Sequence, residues 1–408
     1  MKKINKHKIA AQDKALGLTN HYNNIFLEWA TGVGKSKIAI DIINSESKKT
    51  KVLLVVAELA HKDNWKEEFN KWSLKDNIDI TIVTYHSLKN YSNKSFTYLI
   101  LDEAHHTGTP IKLAILKSMK VDKVIALSAT MPKDKLEALE DIFGDFYIYK
   151  IALQDAINKD ILPEPTIYIL QATLDPIDKD QIITIERGDK NKRITYIDNF
   201  YNRWKYLTNK KQYPHIKLIL HATAREKYFY INGQVDYWSK LYNRTGSQKA
   251  KNMMLFKGNE RKKYLGSLKT NMAKNIIELI KNKRHICFCS SIEQAEELNK
   301  KNAIHSKKKN SLAIINKFNK KKIDSLYAVE MLQEGQNLKD IEVGIIIQLD
   351  GVERGFIQKF GRSLRAKNPI QFIITFKYTK DDDFLKNVTE EIDSKYINFI
   401  SSLDEVKL

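Results

Sequence analysis

The stretch at residues 24–36, NIFLEWATGVGKS, contains the pattern that decides the fold. Its first part, Asn24–Trp29, is an apolar run typical of a buried strand, and a helix is predicted from Lys35. Between them the small residues Gly32 and Gly34 let backbone N–H groups approach an anion closely. The N-terminus of the following helix also favours negative charge. A strand, a glycine-containing loop and a helix in this order predict a phosphate-binding turn at the edge of a sheet.

Strand-like and helix-like segments alternate through the rest of the first 150 residues, which favours a parallel α/β sheet. The predicted strands are Val52–Val56, Ile80–Val83, Tyr98–Leu101 and Val124–Leu127, with a helix at His61–Trp72. A second alternating block runs from about residue 283 to 376. Its strands are predicted at Ile286–Cys289, Leu326–Val329, Gly344–Gln348 and Gln371–Thr375, with helices at 291–301 and 311–319.

The chain is therefore predicted to be an α/β protein with two parallel-sheet domains of similar design. The first domain is predicted at residues 1–150, and residues 151–174, which include Pro163 and Pro165, form a linker and the first part of the second domain. Residues 175–260 match neither period and are interpreted as a mostly helical insertion in or before the second domain. Residues 261–408 complete that domain and end in a C-terminal helix over about 381–403.

Composition restricts the class of protein. Of the 408 residues 42% are hydrophobic, which excludes a disordered chain, and the absence of a long apolar run argues against a membrane span. The two cysteines, Cys287 and Cys289, cannot complete a tetrahedral metal site, and are expected to be reduced and buried in a cytoplasmic protein. The net charge of +20 favours an anionic partner. Residues 201–263 carry 15 Lys or Arg against 3 Asp or Glu, which is +12 of that charge.

Two acidic residues follow a buried strand, at the point where a parallel sheet places its functional edge. Asp102 and Glu103 come directly after Tyr98–Leu101 in the stretch DEAH, residues 102–105. Beside a phosphate loop, Asp102 is expected to hold Mg²⁺ together with Ser36. Glu103 is expected to orient and deprotonate an attacking water molecule.

A third motif, QxxGRxxR, contains Gln358, Arg362 and Arg365. The two arginines lie three residues apart and share one face if the segment is helical. The neighbouring apolar side chains argue that this helix is packed, and cations on a packed helix require an anionic partner. Charge that develops on a transferring phosphoryl group is such a partner.

With these motifs in this order, the chain resembles a superfamily 2 helicase with a DEAH box and two RecA-like domains. The loop WATGVGKS resembles the form found in restriction-enzyme motors and phage-type repair helicases. Residues 55–69 resemble motif Ia and its following helix, residues 84–88 resemble motif Ib, SAT at 128–130 resembles motif III, and residues 332–338 resemble motif V. The resemblance covers about residues 8–150 and 263–376 and not the insertion.

The resemblance implies a nucleic-acid-stimulated ATPase that uses ATP and Mg²⁺. The residues implied in ATP binding are Gln12, Thr31, Gly32, Gly34, Lys35, Ser36 and Gly335, and those implied in hydrolysis are Lys35, Asp102, Glu103, Gln358, Arg362 and Arg365. Coupling of hydrolysis to domain movement is implied for His105, Ser128 and Thr130. Contacts with nucleic acid are predicted for Thr84, Ser290, Arg203, Lys205, Lys210 and Lys211.

The aromatic residues of the insertion have two interpretations. Residues 201–263 contain 11 aromatic side chains, including Trp204, Tyr206, Tyr230, Trp238 and Tyr242, interleaved with basic ones. They could form a surface on which bases stack within a positive groove, or the core of a basic helical subdomain. The basic residues are the stronger candidates for contact with phosphate.

The leading function is an ATP-dependent DNA helicase or translocase of replication, recombination or repair, acting as a cytoplasmic monomer in a bacterial or phage-infected cell, with possible partner proteins. The alternatives are a duplex translocase that does not separate strands and an RNA helicase. A nucleic-acid-binding protein with a decayed motor is disfavoured by the intact Lys35, Asp102, Glu103 and Arg362.

Overall fold

The computed structural model describes residues 5–188, 192–329, 338, 340–349, 366–390 and 392–408. Four residues of the predicted site, Gly335, Gln358, Arg362 and Arg365, lie outside these ranges. Their predicted roles therefore rest on the sequence motifs.

Six parallel strands form the sheet of the first domain. They are β1 (Asn24–Trp29), β2 (Thr50–Val56), β3 (Ile78–Thr84), β4 (Ser95–Asp102), β5 (Lys120–Ser128) and β6 (Tyr147–Ile151). Their order across the sheet is β3-β2-β4-β5-β1-β6, and every pairing is parallel. The helices of this domain are α1 (Lys6–Leu18), α2 (Lys35–Asn44), α3 (Leu59–Lys71), α4 (Pro110–Lys117), α5 (Lys133–Phe143) and α6 (Leu153–Asn158).

The continuous apolar runs are explained by burial on both faces of this sheet. In β2, Val52, Leu54 and Val56 enter one hydrophobic core, whereas Leu53 and Val55 enter the core on the opposite face. Successive side chains of a strand point to opposite faces, so only a sheet covered on both sides gives an unbroken run. The five strands predicted in this region are confirmed, and β1 has the predicted bounds.

The middle of the chain begins with a strand of the second sheet and continues into the insertion. The elements are β7 (Thr166–Thr173), β8 (Gln181–Arg187), β9 (Arg193–Ile197), α7 (Arg203–Thr208), β10 (Ile216–Ala222), α8 (Ala224–Thr245) and α9 (Gln248–Leu268). Strands β8, β10 and β9 form a separate three-stranded sheet, antiparallel between β8 and β10 and parallel between β10 and β9.

The prediction of a mostly helical insertion omitted this small sheet. Its inner face buries Ile183, Leu218 and Leu220, while Ile182 and Tyr196 on the outer face are exposed. The exposed apolar residues disrupt the alternation by which a half-buried strand is recognised in a sequence. The helical part was predicted correctly, because α8 and α9 form a long hairpin.

The hairpin of α8 and α9 is defined at both ends by local residues. Thr223 and Glu226 form a reciprocal capping box at the start of α8, with hydrogen bonds of 3.0 and 3.1 Å. Gly246, with φ of 63°, ends α8 in the left-handed conformation that glycine favours. Ser247 then caps α9 by accepting from the backbone N–H of Ala250. The chain therefore reverses direction within two residues.

Among the residues that the structure describes, seven parallel strands form the sheet of the second domain. After α10 (Thr270–Leu279) come β11 (His285–Phe288), α11 (Ile292–Asn299), β12 (Ala303–Ile304), α12 (Ser311–Asn319), β13 (Ser325–Ala328), β14 (Val343–Ile346), β15 (Ile370–Lys377), α13 (Lys380–Glu390) and β16 (Ile397–Ile400). The order across this sheet is β12-β13-β11-β14-β15-β7-β16. Cys287 is buried in β11, Cys289 is half-buried, and both are free thiols.

The C-terminal helix is shorter than predicted. It is correct as far as Glu390, but β16 at Ile397–Ile400 lies in the remainder of the predicted range. This strand pairs in parallel with β7, more than 200 residues earlier in the chain. A non-local pairing of this kind leaves no period in the local sequence. Among the described residues no helix is both long and apolar enough to span a membrane.

Candidate nucleotide and nucleic-acid site

The strand order of the first sheet brings the phosphate loop and the acidic pair to the same edge. Strands β1 and β4 lie on either side of β5, and all three run in the same direction. Asp102 at the end of β4 is level with Leu127 of β5, whose next residue, Ser128, is level with Glu28 of β1. The loops that follow β1, β4 and β5 therefore meet at the carboxyl edge of the sheet.

The phosphate loop has the backbone that an anion-binding turn requires. Gly32 and Gly34 adopt φ of 93° and 113°, which side-chain-bearing residues rarely adopt. A Cβ at Gly34 would also lie 3.3 Å from the amide nitrogen of Gln12. Thr31 lies in the loop, and Lys35 and Ser36 are the first two residues of α2. The glycines leave the space in front of the helix N-terminus open.

The side chain of Lys35 lies between the loop and the acidic pair. Its ammonium donates a hydrogen bond to the backbone oxygen of Trp29 at 2.7 Å. Burial lowers the pKa of Lys35, and the carboxylates of Glu103 and Asp102 oppose that shift. One cation and two carboxylates therefore share this part of the sheet edge.

Gln12 on α1 closes the other side of the loop. Its side chain is buried, with 8% of its surface exposed, and among the described residues its amide nitrogen has no hydrogen-bond partner. A buried donor without a partner is costly, so it marks a place where a ligand would be favourable. The open loop, the helix N-terminus, Lys35 and this unsatisfied amide fit a nucleotide whose phosphates lie on α2.

Asp102 is held by contacts to three of its oxygens. One carboxylate oxygen accepts from the indole N–H of Trp65 at 2.8 Å, and the other from the backbone N–H of Glu103 at 3.1 Å. The hydroxyl of Tyr85 donates to the backbone oxygen of Asp102 at 3.0 Å. The ring Nδ1 of His61 lies 4.0 Å from the oxygen that Trp65 contacts. The carboxylate is therefore fixed in one orientation.

The residues after Asp102 connect the acidic pair to the SAT motif. Glu103 has a φ of 48°, an uncommon value for a residue with a side chain and one often found at functional sites. His105 lies 3.5 Å from the Glu103 carboxylate and 3.0 Å from the hydroxyl of Ser128, which donates to the backbone oxygen of Thr130 at 2.6 Å. The residues predicted to couple hydrolysis to movement are thus in direct contact.

The two predicted nucleic-acid contacts in the sheet domains are engaged within the protein. Thr84 ends β3, is buried, and lies 3.1 Å from the hydroxyl of Ser87. Ser290 is buried beneath Gly266, where a Cβ would lie 2.1 Å from its hydroxyl oxygen, and it donates to Gln294 at 3.0 Å. Contact between Ser290 and nucleic acid stays a prediction, and in this structure its hydroxyl faces α9.

The predicted basic contacts of the insertion have different environments. The guanidinium of Arg203 stacks on Phe200, 3.6 Å from the ring centroid, and donates to its backbone oxygen at 2.7 Å. Lys205, Lys210 and Lys211 are exposed. The three lysines are free to meet phosphate, whereas Arg203 also holds the small sheet and α7 together.

The insertion aromatics divide into buried and exposed rings, and base stacking stays a prediction for the exposed ones. Tyr206 and Tyr230 pack against the core of the small sheet. Trp204 is 55% exposed, and Tyr237 and Phe256, on α8 and α9, are 61% and 63% exposed. Trp238 and Tyr242 are half-buried in the hairpin. The exposed rings leave a surface on which bases could stack, while the buried rings form a core.

Sequence reasoning missed the residues that hold Asp102. Trp65 lies in the helix predicted at His61–Trp72 and Tyr85 in the segment that resembles motif Ib, and no role was predicted for either side chain. Buried tryptophan and tyrosine normally find a partner for the N–H or O–H group. That rule is the signal that could have marked them, although it does not identify the partner.

Two families match separate parts of this chain. The family described as the res subunit of type III restriction enzymes matches residues 1–133, and the helicase conserved C-terminal domain matches residues 268–367. These ranges correspond to the two parallel-sheet domains and exclude the insertion.

Individual proteins are similar to most of the chain. The DNA 3′-5′ translocase XPB2 of Sulfurisphaera tokodaii is 22% identical over 374 residues, covering 84% of this chain and 75% of that protein. The helicase domain of Pyrococcus furiosus Hef has a TM-score of 0.50 at 13% identity, covering 93% of this chain and 97% of that one. The ATP-dependent type ISP restriction-modification enzyme LlaBIII, in a structure with DNA, has a TM-score of 0.54 at 13% identity. The match covers 98% of this chain and 31% of LlaBIII.

The sheet topologies, the site at the edge of the first sheet and the two family matches agree. The chain belongs to superfamily 2 of helicases and translocases and contains the two RecA-like domains of that superfamily. It is therefore an ATPase of the helicase and translocase class.

Proposed function

We propose that this protein hydrolyses ATP to move along DNA and to separate its strands. The observation that carries the proposal is the meeting of Lys35 with Asp102 and Glu103 at one sheet edge, in front of the N-terminus of α2. A cation beside a phosphate loop, next to two carboxylates, is the arrangement that phosphoryl transfer to water requires.

Each residue of this site has a proposed role. Bound ATP with Mg²⁺ supplies the phosphoryl group whose transfer to water releases free energy. Lys35 would neutralise phosphate charge, and Ser36 and Asp102 would hold the metal, which needs few protein ligands beside phosphate and water. Glu103 would orient the water molecule and accept its proton. A shift of Glu103 would move His105 and, through it, Ser128, since His105 contacts both residues.

DNA is the proposed substrate for two reasons. The names of two similar proteins refer to DNA, as a translocase track or as the bound molecule. The segment at 201–263 has a net charge of +12, and its lysines 205, 210 and 211 are exposed. Phosphate contacts of this kind supply most of the sequence-independent affinity for nucleic acid.

The first test is ATP hydrolysis with and without forked DNA. We expect DNA to stimulate turnover, and Lys35→Ala and Glu103→Gln to abolish it. Glu103→Gln should still bind ATP because the phosphate loop is intact. Glu137→Gln removes an exposed carboxylate of α5 and is the matched control, which should retain wild-type turnover. Normal turnover in either site variant would refute the assignment of the site.

Strand separation is tested apart from movement. Displacement of a labelled strand from a forked duplex measures separation, and displacement of a third strand from a triplex measures movement along an intact duplex. We expect both activities. Triplex displacement alone would identify a duplex translocase, and stimulation by RNA in place of DNA would identify an RNA helicase.

The contribution of the insertion is tested with exposed lysines only. Replacing Lys205, Lys210 and Lys211 by Ala should weaken DNA binding and reduce the slope of log affinity against log salt by ~0.7–0.9 for each lost phosphate contact. The matched control replaces three exposed lysines that lie before the first residues of β2 and β3, at the amino edge of the first sheet. They are Lys48, Lys49 and Lys75. If both triple variants change the slope equally, the effect comes from net charge and the DNA path lies elsewhere.

The resemblance to phage-type repair helicases and restriction motors supports a role in replication, recombination or repair. We propose that the chain works there as a monomer, with partner proteins that direct it to its DNA. Pull-down from infected or dividing cells, with nuclease treatment to remove bridging DNA, would test for such partners.

A further inference from the structure

Two buried aromatic side chains, from two different segments, hold the predicted metal-binding aspartate. Trp65 and Tyr85 are each 3% exposed. The indole of Trp65 donates to a carboxylate oxygen of Asp102 at 2.8 Å, and the hydroxyl of Tyr85 donates to its backbone oxygen at 3.0 Å. Each side chain has one strong hydrogen-bond donor, and both donors are directed at Asp102.

The two rings come from neighbouring segments at the carboxyl edge of the first sheet. Trp65 lies on α3, which begins at the third residue after β2, and Tyr85 is the first residue after β3. Strands β3, β2 and β4 are neighbours, so their loops lie side by side at the carboxyl edge. The backbone N–H of Tyr85 also donates to the oxygen of Val56 at 3.0 Å, which ties the two loops together.

These two loops are also the segments that resemble motifs Ia and Ib, and a contact with nucleic acid is predicted for Thr84, beside Tyr85. Because both rings are buried and held by close packing, a displacement of either ring is transmitted to Asp102 through its hydrogen bond. Movement of either loop on binding DNA would therefore change the position or orientation of Asp102. Trp65 links α3 to the carboxylate of Asp102, and Tyr85 links the segment after β3 to the backbone of Asp102.

We propose that Trp65 and Tyr85 are positioning residues, which hold Asp102 for the metal and pass the effect of bound nucleic acid to it. The inference rests on the proposed function, because it assumes that Asp102 helps to hold Mg²⁺ during ATP hydrolysis. Groups that orient a metal ligand through a hydrogen bond commonly affect metal affinity or activity by about 10- to 100-fold.

The test removes each donor and keeps an aromatic side chain, with the smaller phenyl ring in place of the indole at Trp65 and the same ring retained at Tyr85. Trp65→Phe deletes the indole N–H, and Tyr85→Phe deletes only the hydroxyl. Matched controls lose the same groups elsewhere: Trp72, whose indole donates to Glu68 at 2.6 Å, and Tyr168, whose hydroxyl donates to the backbone oxygen of Lys407 at 2.9 Å. Both controls are changed to Phe, and circular dichroism verifies the fold of all four variants.

Two quantities are measured for each variant. The first is the Mg²⁺ concentration for half-maximal ATP hydrolysis, which Trp65→Phe should raise by about 10-fold or more. The second is the ratio of turnover with forked DNA to turnover without it, which both site variants should lower by about 5-fold or more. The control variants should keep wild-type values in both measurements.

The outcomes separate this inference from the proposed function. Wild-type protein without DNA-stimulated hydrolysis would refute the proposed function itself. DNA-stimulated wild type, with Trp65→Phe and Tyr85→Phe equal to their controls, would refute the positioning roles alone. Tyr85→Phe removes a single oxygen atom, so it decides the question of coupling even if Trp65→Phe does not fold.

Discussion

The buried ion pair of Lys269 and Asp381 joins the insertion to the second domain, and its removal allows a quantitative prediction. Lys269 lies where α9 passes into α10, and Asp381 is the second residue of α13. Their side chains are 0% exposed, with the charged atoms 2.7 Å apart. Gln348 bridges the pair, since it accepts from Lys269 at 2.8 Å and donates to Asp381 at 2.7 Å.

The magnitude follows from what remains after Lys269→Met. Asp381 keeps hydrogen bonds from Gln348 and from the backbone N–H of Phe376, at 2.7 and 2.9 Å, but loses its only described cation. A buried charge left without its partner costs about 3–5 kcal/mol. Burial lowers the pKa of Lys269, and Asp381 opposes that shift, so desolvation is already a large part of the balance.

A second change should restore part of the lost stability. In Lys269→Met with Asp381→Asn no buried charge remains. The new amide oxygen can accept from the backbone N–H of Phe376, and the amide nitrogen can donate to the Gln348 oxygen once the Gln348 amide turns over. We expect the double variant to recover at least half of the loss. Replacement of both members of a buried pair is often nearly neutral.

The assay is urea and thermal unfolding of the full chain. We expect Lys269→Met to lower the transition midpoint of the second domain by roughly 6–20 °C, at 2–4 °C for each kcal/mol. The control is Lys274→Met, which breaks an ion pair of the same 2.7 Å length between side chains 47% and 56% exposed. An exposed pair contributes about 0–1 kcal/mol, so this change should be small.

Two results would refute this reasoning. One is a loss in Lys269→Met no larger than in Lys274→Met, because burial would then add nothing to the pair. The other is a double variant as unstable as the single one, because the loss would then come from packing of the lysine stem and not from an unpaired charge.

Three further predictions concern the nucleotide site and the stability of the first domain. Gln12→Ala should raise the KM for ATP about 10-fold and weaken discrimination among nucleoside triphosphates, as steady-state kinetics would show, because the bound nucleotide would lose a buried amide donor; an unchanged KM would remove the residue from the site. Arg365→Ala should leave ATP binding intact, measured with a fluorescent nucleotide, and lower hydrolysis by ~10³, whereas loss of DNA affinity alone would make QxxGRxxR a binding helix. The carboxyl pKa of Glu46 is lowered, chiefly by the hydrogen bond from Tyr98, so its stabilising effect is complete above a pH of about 4.5 and is lost as the pH falls through the lowered value. Glu46→Gln should therefore be less stable than wild type in urea unfolding at pH 7 and equal to it in strong acid, and a difference that persisted in acid would contradict this origin.

The sequence alone determined the two α/β domains and the chemistry of the first. A strand buried on both faces gives a continuous apolar run, and a phosphate loop gives a glycine pattern, because both are set by residues close together in the chain. The motifs at residues 29–36 and 102–105 therefore predicted Lys35, Asp102 and Glu103 at one sheet edge. The domain matches and the strand order agree with that prediction of fold and class.

Tertiary structure alone decided the small sheet of the insertion and the surroundings of Asp102. Strands β8, β9 and β10 form only by pairing with each other, and their exposed isoleucines conceal the alternation that would identify them. Trp65 and Tyr85 reach Asp102 across 37 and 17 residues of chain, and only the order β3-β2-β4 brings them there. Contacts across a sheet depend on which strands become neighbours, and that is a property of the whole fold and not of any local segment.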